Sequence, residues 1–359
     1  MNGKLAILGT GKLGLCLGLN LERSGFHVDC YDINKQYIKL LKEKKFISSE
    51  PGVNDYLKHS RDINFTDDLT IALNNEIIYV VVNTPSTKDH KYDHTNINNL
   101  FDSIKQHGPR DFRTDIVLNC TTFPGYIDSI QEEMNKYNIF VSYNPEFIAQ
   151  GTILSDQVNA DLVVIGAYDK IAEEKIKHIN LMLCKGSPAV NVMSNIEAEL
   201  TKLSLNCFLT TKISYANMIG DIALRYNANP DNILSAIGSD SRVGPKYLKY
   251  GYGYGGPCFP RDNRALAKCA EEVGVDAIIS KATDQMNFAH LEYQIDQFVK
   301  NNSKDVPVIF DYVTYKKESV ILEESQQLEF ARRLKNIGYK IIINDKRSEV
   351  TSQLKNILE

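Results

Sequence analysis

Over the first half of the chain, short apolar runs rich in β-branched residues alternate with stretches of helical period. LAILG (5–9), HVDCYD (27–32), IIYVVVN (77–83), DIVLNCTT (115–122), IFVSYN (139–144) and DLVVIGA (161–167) read as buried strands. Between them, KLGLCLGLNLERSG (12–25) and YIDSIQEEMNKY (126–137) repeat their apolar positions every three to four residues. That alternation predicts a parallel sheet with helices on both faces. From Asn195 the pattern changes. Residues 195–227 contain no Pro and a single Gly, which predicts one long helix. Further helical patterns follow, then a short α/β return through VPVIFDYV (306–313), SQQLEFARRLKNIG (325–338), YKIIIND (339–345) and a last helix.

At 359 residues there is ample chain for about two domains and a fragment. No apolar run approaches the roughly 20 residues needed to span a bilayer, so a cytoplasmic protein without a membrane partner is expected. The net charge of −4 is made of interspersed charges with no basic stripe, which argues against nucleic acid. Seven cysteines, scattered and without a CxxC pair, suit neither a disulfide framework nor a metal site. Most lie in apolar runs and are expected in the core. Only Cys258 sits in a glycine-rich setting.

Gly9-Thr10-Gly11-Lys12-Leu13-Gly14 follows the first strand and opens a helix, and the next strand ends at Asp32. Strand, glycines, helix and acid in that order predict a dinucleotide fold. Gly9 permits a tight turn, Gly11 lets a pyrophosphate approach the amides at the helix start, and Gly14 lets the helix pack closely. Asp32 can accept both ribose hydroxyls and would repel a 2′-phosphate, which favours NAD over NADP. The expected class is therefore α/β. A Rossmann-type, doubly wound parallel sheet occupies 1–192, a helical domain with the long helix 193–300, and a shortened α/β unit 301–359.

Lys202 and Asn206 are four apart on the long helix and share a face. A dehydrogenase needs such a pair to hold the oxygen of a reacting alcohol or carbonyl, although on spacing alone a solvated face is the commoner reason for one. In GYGYGGPCFPRD (251–262), Pro260 suits the first position of a helix. Cys258 then stands just outside a helix N-terminus, where the dipole and the first amides favour a thiolate, and Asp262 falls in the first turn. An inert cysteine beside a glycine turn is the plainer alternative.

These residues, with EPG at 50–52, NTP at 83–85, CTTFPG at 120–125, NPEF at 144–147, EAELTKLSLN at 197–206 and DSRVG at 240–244, resemble the UDP-glucose/GDP-mannose dehydrogenase family. The likeness runs from residue 1 to about 290 and more faintly to the end. Members oxidise a sugar-nucleotide alcohol to a carboxylate in two NAD-dependent steps, and UDP-glucose to UDP-glucuronate is the leading conversion. The resemblance implies that Cys258 is a covalent nucleophile and that Lys202 and Asn206 hold the reacting oxygen. It makes Thr121 and Asp262 the residues that order water or relay a proton, and Glu146 the base for hydrolysis. NAD contacts are implied from Gly9, Gly11, Lys12, Leu13, Gly14, Asp32, Lys35, Thr84, Pro85, Thr121 and Arg261. For the substrate the resemblance implies Phe147, Ile148, Lys202, Asn206, Arg242, Lys246, Tyr247, Tyr252, Tyr254, Gly255 and Lys316. The glycine-rich loop is expected to wrap the sugar and phosphates with backbone amides, Tyr252 and Tyr254 offering ring faces or hydroxyls. No metal is implied, and the long helix is expected to pair in a homodimer.

Two segments depart from the family pattern. NPEFIAQG stands where members read NPEFLREG, so Ala149 and Gln150 replace an arginine and a glutamate. YKKESVILEES stands where members read like FKPNTDDIRES, which keeps Lys316 but puts Glu323 at an arginine. The C-terminal unit is about half its usual length. Two other functions therefore stay open: a two-electron dehydrogenase of the 3-hydroxyacid or 6-phosphogluconate type, and a non-catalytic member that binds NAD and a sugar nucleotide.

Overall fold

The computed structural model describes residues 3–358. Its packing divides them into two compact units, one ending at Lys202 and one beginning at Leu203.

The first unit runs β1 (Lys4–Leu8), α1 (Lys12–Arg23), β2 (His27–Tyr31), α2 (Lys35–Lys42), α3 (Val53–His59), β3 (Ile63–Thr66), α4 (Leu69–Leu73) and β4 (Ile77–Val80). It continues through α5 (Thr95–Lys105), β5 (Thr114–Leu118), α6 (Tyr126–Asn135), β6 (Ile139–Tyr143), α7 (Ile153–Val158), β7 (Leu162–Gly166), α8 (Lys170–Leu183) and β8 (Ala189–Met193). The eight strands form one sheet in the order β3-β2-β1-β4-β5-β6-β7-β8. Leu5 and Ile7 enter the core on one face and Ala6 and Leu8 the core on the other, which is the alternation of a strand covered on both sides. The strand order reverses between β1 and β4. Their C-terminal ends make the crevice in which such sheets take ligands.

The sheet is parallel, as the alternation predicts, except at one seam: β6 and β7 pair antiparallel through Tyr143 and Gly166. The connection after β6 never crosses the sheet, because α7 is tied to α1. Asn20 Nδ2 donates to Leu154 O at 3.1 Å and to Gln157 Oε1 at 2.9 Å. The chain therefore re-enters from the end it left. Two strands lie outside the sequence expectation. β3 is a four-residue INFT, and β8 is an edge strand whose residues are exposed or half-buried.

Helix α9 (Asn195–Arg225) ends the first unit and begins the second. The second unit adds α10 (Pro230–Ser239), α11 (Phe259–Glu272), α12 (Ile278–Asn301), β9 (Val308–Phe310), α13 (Gln326–Asn336), β10 (Ile341–Ile343) and α14 (Ser348–Leu358). β9 and β10 pair in parallel. With α13 as their crossover they make one small βαβ return, whose core includes Leu291 and Ile295 of α12.

Candidate active site

In the first unit the glycine loop leaves β1 at the switch point. Gly9 has φ +97°, and a Cβ there would lie 2.3 Å from the Val81 carbonyl oxygen, so both conformation and space demand glycine. A Cβ at Gly14 would lie 2.0 Å from the Gly9 oxygen. Gly11 is the N-cap of α1, with no side chain capping it and nothing within 4 Å of where a Cβ would be. The amides of the first helical turn therefore face open space, as a pyrophosphate requires. Asp32 follows β2, and its two oxygens accept from Thr10 N at 3.1 Å and Asn34 N at 2.9 Å. It thus sits fixed beside the loop, where a ribose would lie. These residues fit NAD. Leu13 packs partly against the core, and Lys12 reaches Gln150 Oε1 at 3.4 Å. Lys35 is exposed in the first turn of α2, Thr84 is buried and Pro85 exposed.

The same unit gathers a second set of residues. Lys202, buried on α9, donates from Nζ to the backbone oxygen of Glu146 at 2.6 Å, and its charge lies 4.7 Å from the Phe147 ring centroid. Burial pushes the Glu146 carboxyl up to about 7, while Lys202 and the Gln157 amide pull it down. Phe147 and Ile148 pack partly against the cores on opposite faces of the sheet. Glu50 of EPG holds the loop that follows, accepting from Gly151 N at 2.9 Å and Ile153 N at 2.8 Å.

Glu199, one turn before Lys202, escaped the sequence reading. Fully buried, it accepts from Thr122 Oγ1 at 2.8 Å, Gly125 N at 2.7 Å and Ile127 N at 3.3 Å. It thereby ties α9 to the half-buried Thr121 loop and caps α6. Burial pushes its carboxyl up to about 7. Residue type gave no signal for it, because the exposed Glu197 stands two residues before it in the same helix.

In the second unit, Asn206 Nδ2 donates to Asp262 Oδ2 at 2.6 Å. Asp262 is fully buried, and its other oxygen takes Arg261 Nε at 3.2 Å. Arg261, expected at the cofactor, thus belongs to the second unit and to Asp262. Cys258 is the N-cap of α11 and its carbonyl accepts from Asp262 N at 2.8 Å. The helix starts at Phe259, so Pro260 is its second residue and not its first. Of the seven thiols, Cys258 alone is exposed. Cys16, Cys30, Cys120, Cys184 and Cys207 are buried and Cys269 half-buried. Burial pushes Cys16 and Cys120 up to about 12 and raises Cys30, Cys184 and Cys207, so these are inert thiols.

The glycine-rich loop differs from the expectation. A Cβ at Gly253 would lie 2.2 Å from Asn287 Oδ1, one at Gly255 2.2 Å from Glu324 O, and one at Gly256 2.7 Å from the Tyr315 ring. Packing within the protein demands these glycines. Gly251 N, Tyr254 N and Gly256 N are already bonded to Asn217 Oδ1, Asn287 Oδ1 and Glu323 O, so these amides are not available to phosphates. Tyr254 is 3% exposed and its hydroxyl donates to Asp284, so it holds the loop and offers no ring face. Tyr252 remains partly exposed, its ring edge-on to Phe330 at 6.0 Å. Lys246 and Tyr247 are exposed, Tyr247 at φ +64° and 6.2 Å from the Phe259 ring. Arg242 is exposed and paired with Asp240. Lys316 is half-buried in the irregular segment after β9. In the same segment Arg264 takes Glu324, the neighbour of Glu323, with two bonds of 2.6 and 2.8 Å.

Residues 3–182 match the model of the NAD binding domain of the UDP-glucose/GDP-mannose dehydrogenase family, and residues 196–289 match that family's central domain. A UDP-glucose 6-dehydrogenase of Bacillus subtilis is 31% identical over 82% of this chain and 65% of its own length. One of Pseudomonas aeruginosa is 28% identical over 79% of this chain and 65% of its own. This chain therefore spans just under two thirds of these relatives. A solved UDP-glucose dehydrogenase of Pyrobaculum islandicum superposes with a TM-score of 0.86 at 26% identity, covering 99% of this chain and 84% of that one. A UDP-D-ManNAc dehydrogenase of Pyrococcus horikoshii, at 20% identity, shares the fold with a TM-score of 0.80 over 96% of this chain and 85% of that one. Among the described residues, no helix is long and apolar enough to cross a membrane.

Proposed function

From the premise that this chain belongs to the UDP-glucose/GDP-mannose dehydrogenase family, we propose that it oxidises the C6 alcohol of a nucleotide sugar to the acid in two steps at Cys258, with UDP-glucose the first substrate to test. The observation that carries the proposal is Cys258 itself, the one exposed thiol of seven, placed at a helix N-cap. A two-electron dehydrogenase has no use for it.

NAD, when bound, accepts hydride. The chain's residues do the rest. As C6 gives up its first hydride, the hydroxyl proton leaves through water ordered by Thr121 and Asp262, and the alcohol becomes an aldehyde. The Cys258 sulfur then adds to the aldehyde carbon, and the oxygen takes negative charge held by Lys202 and Asn206. Loss of hydride from that carbon leaves a thioester on Cys258. Water, deprotonated by Glu146, attacks its carbonyl, and collapse expels the thiolate and frees the acid. Two NADH per acid, with the product mass measured across UDP- and GDP-sugars, is the expected result. One NADH with a free aldehyde would favour the two-electron alternative, and binding of NAD and sugar nucleotide without turnover the non-catalytic one.

Glu146 carries a pH prediction. As a base it must be ionised, so acid formation should rise with pH through about 7. Glu146→Gln should lower the rate and flatten that limb. The stability effect has the opposite sign. A carboxyl raised from its usual 4.5 to about 7 favours the fold fully below 4.5, and that contribution is lost as pH rises through 7. Glu146→Gln should therefore gain stability relative to the parent above pH 7, measured by urea unfolding at pH 5 and pH 8.

The partner proposed is a second copy. Phe208, Tyr215, Met218 and Ile222 stand exposed on α9 at seven, three and four residues' spacing, as in a helix seam.

A further inference from the structure

The loop that leads to Cys258 is held by polar side chains from two helices of the second unit. Asn217 of α9 accepts from Gly251 N at 3.1 Å. Asn287 of α12 both accepts from Tyr254 N at 2.9 Å and donates to Tyr254 O at 3.0 Å. One turn on from Asn287, His290 is 1% exposed, and its Nε2 lies 2.6 Å from Gly251 O. Its Nδ1 lies 2.8 and 3.0 Å from the two oxygens of Asp221 on α9. A backbone carbonyl only accepts, so Nε2 carries a hydrogen. Asp221 also accepts from the Tyr250 hydroxyl at 3.0 Å, so its carboxyl is held in place against the Nδ1 side of the ring.

We propose that His290, oriented by Asp221, is a positioning residue that fixes Gly251 and with it the path of the loop delivering Cys258 to the N-terminus of α11. The hydrogen bond to Gly251 is made at the first residue of GYGYGG, and the Asn287 clamp at the fourth. Between them they hold both ends of the segment from Gly251 to Tyr254. Gln294 Nε2 supports the same carbonyl at 3.2 Å. The inference rests on Cys258 being the nucleophile only for its consequence in catalysis. The clamp itself stands on the geometry.

The protein labelled with 15N-histidine should show a hydrogen on Nε2 of His290. In His290→Phe, amides of residues 251–256 should exchange at least about tenfold faster than in the parent. Turnover with UDP-glucose and NAD should fall by about tenfold to a hundredfold in kcat, with KM for NAD unchanged. His290→Gln keeps one donor for Gly251 and should stay within about threefold of the parent in both readouts. Should His290→Phe not fold, Asp221→Asn combined with His290→Phe removes the stranded carboxylate and takes its place. An Nε2 without hydrogen, or parental exchange at 251–256 in the Phe variant, overturns the proposal. Turnover retained in Cys258→Ala overturns the catalytic reading instead, and the exchange result still decides the clamp.

Discussion

Cys258→Ala is expected to lose acid formation by at least about a thousandfold while remaining folded and still binding NAD. The side chain is exposed, so its removal leaves no cavity, and its backbone carbonyl still accepts from Asp262 N. The loss would be chemical: without sulfur there is no thiohemiacetal from which a second hydride can leave, and no thioester for water to open. The other cysteines offer no substitute, since five are buried and their thiols are pushed up by burial. An ordinary alcohol dehydrogenase would tolerate the change. Quantifying acid and NADH together separates the two outcomes, and parental acid formation in the variant would exclude a covalent role.

Lys202→Met should cost about 2.7–4 kcal/mol of barrier, read as a fall of about 10²–10³ in kcat. The methionine keeps the packing over Phe147 but supplies no donor to the oxyanion. A second consequence follows from the contact with Glu146. The Lys202 charge lowers that carboxyl, so its removal should move the rising limb of the pH profile to higher pH. A purely structural lysine would lower the melting temperature and leave kcat on the plateau of the profile at the parental value. Steady-state rates from pH 5.5 to 9 distinguish the two.

What was legible in the sequence was local. β1, its glycine loop, α1 and Asp32 all fall within one βαβ unit, where residue type and spacing dictate the fold, and the structure places them as read. α9 was equally plain, because some thirty residues with no Pro and a single Gly have few alternatives. β8 was not, since its exposed edge lacks an apolar run. The antiparallel seam was not either, because it depends on Asn20 holding α7 from more than a hundred residues away. The glycine-rich loop was misread for the same reason. Its glycines look like a ligand cradle until Asn287, Glu324 and Tyr315 are seen occupying the space. Tyr254 looked like a base-stacking ring and is a buried strut on Asp284. Glu199 went unnoticed because its three donors lie over seventy residues upstream.

The central claim is that a half-oxidised sugar is held on one sulfur. Rapid quenching in acid during turnover of UDP-glucose with NAD, followed by mass spectrometry of the intact protein and of the peptide containing residues 251–262, tests it directly. The account predicts an acyl adduct confined to Cys258, enriched in Glu146→Gln because hydrolysis is slowed there. Acid produced at the normal rate with Cys258 unmodified throughout, in the parent and in that variant, would contradict it.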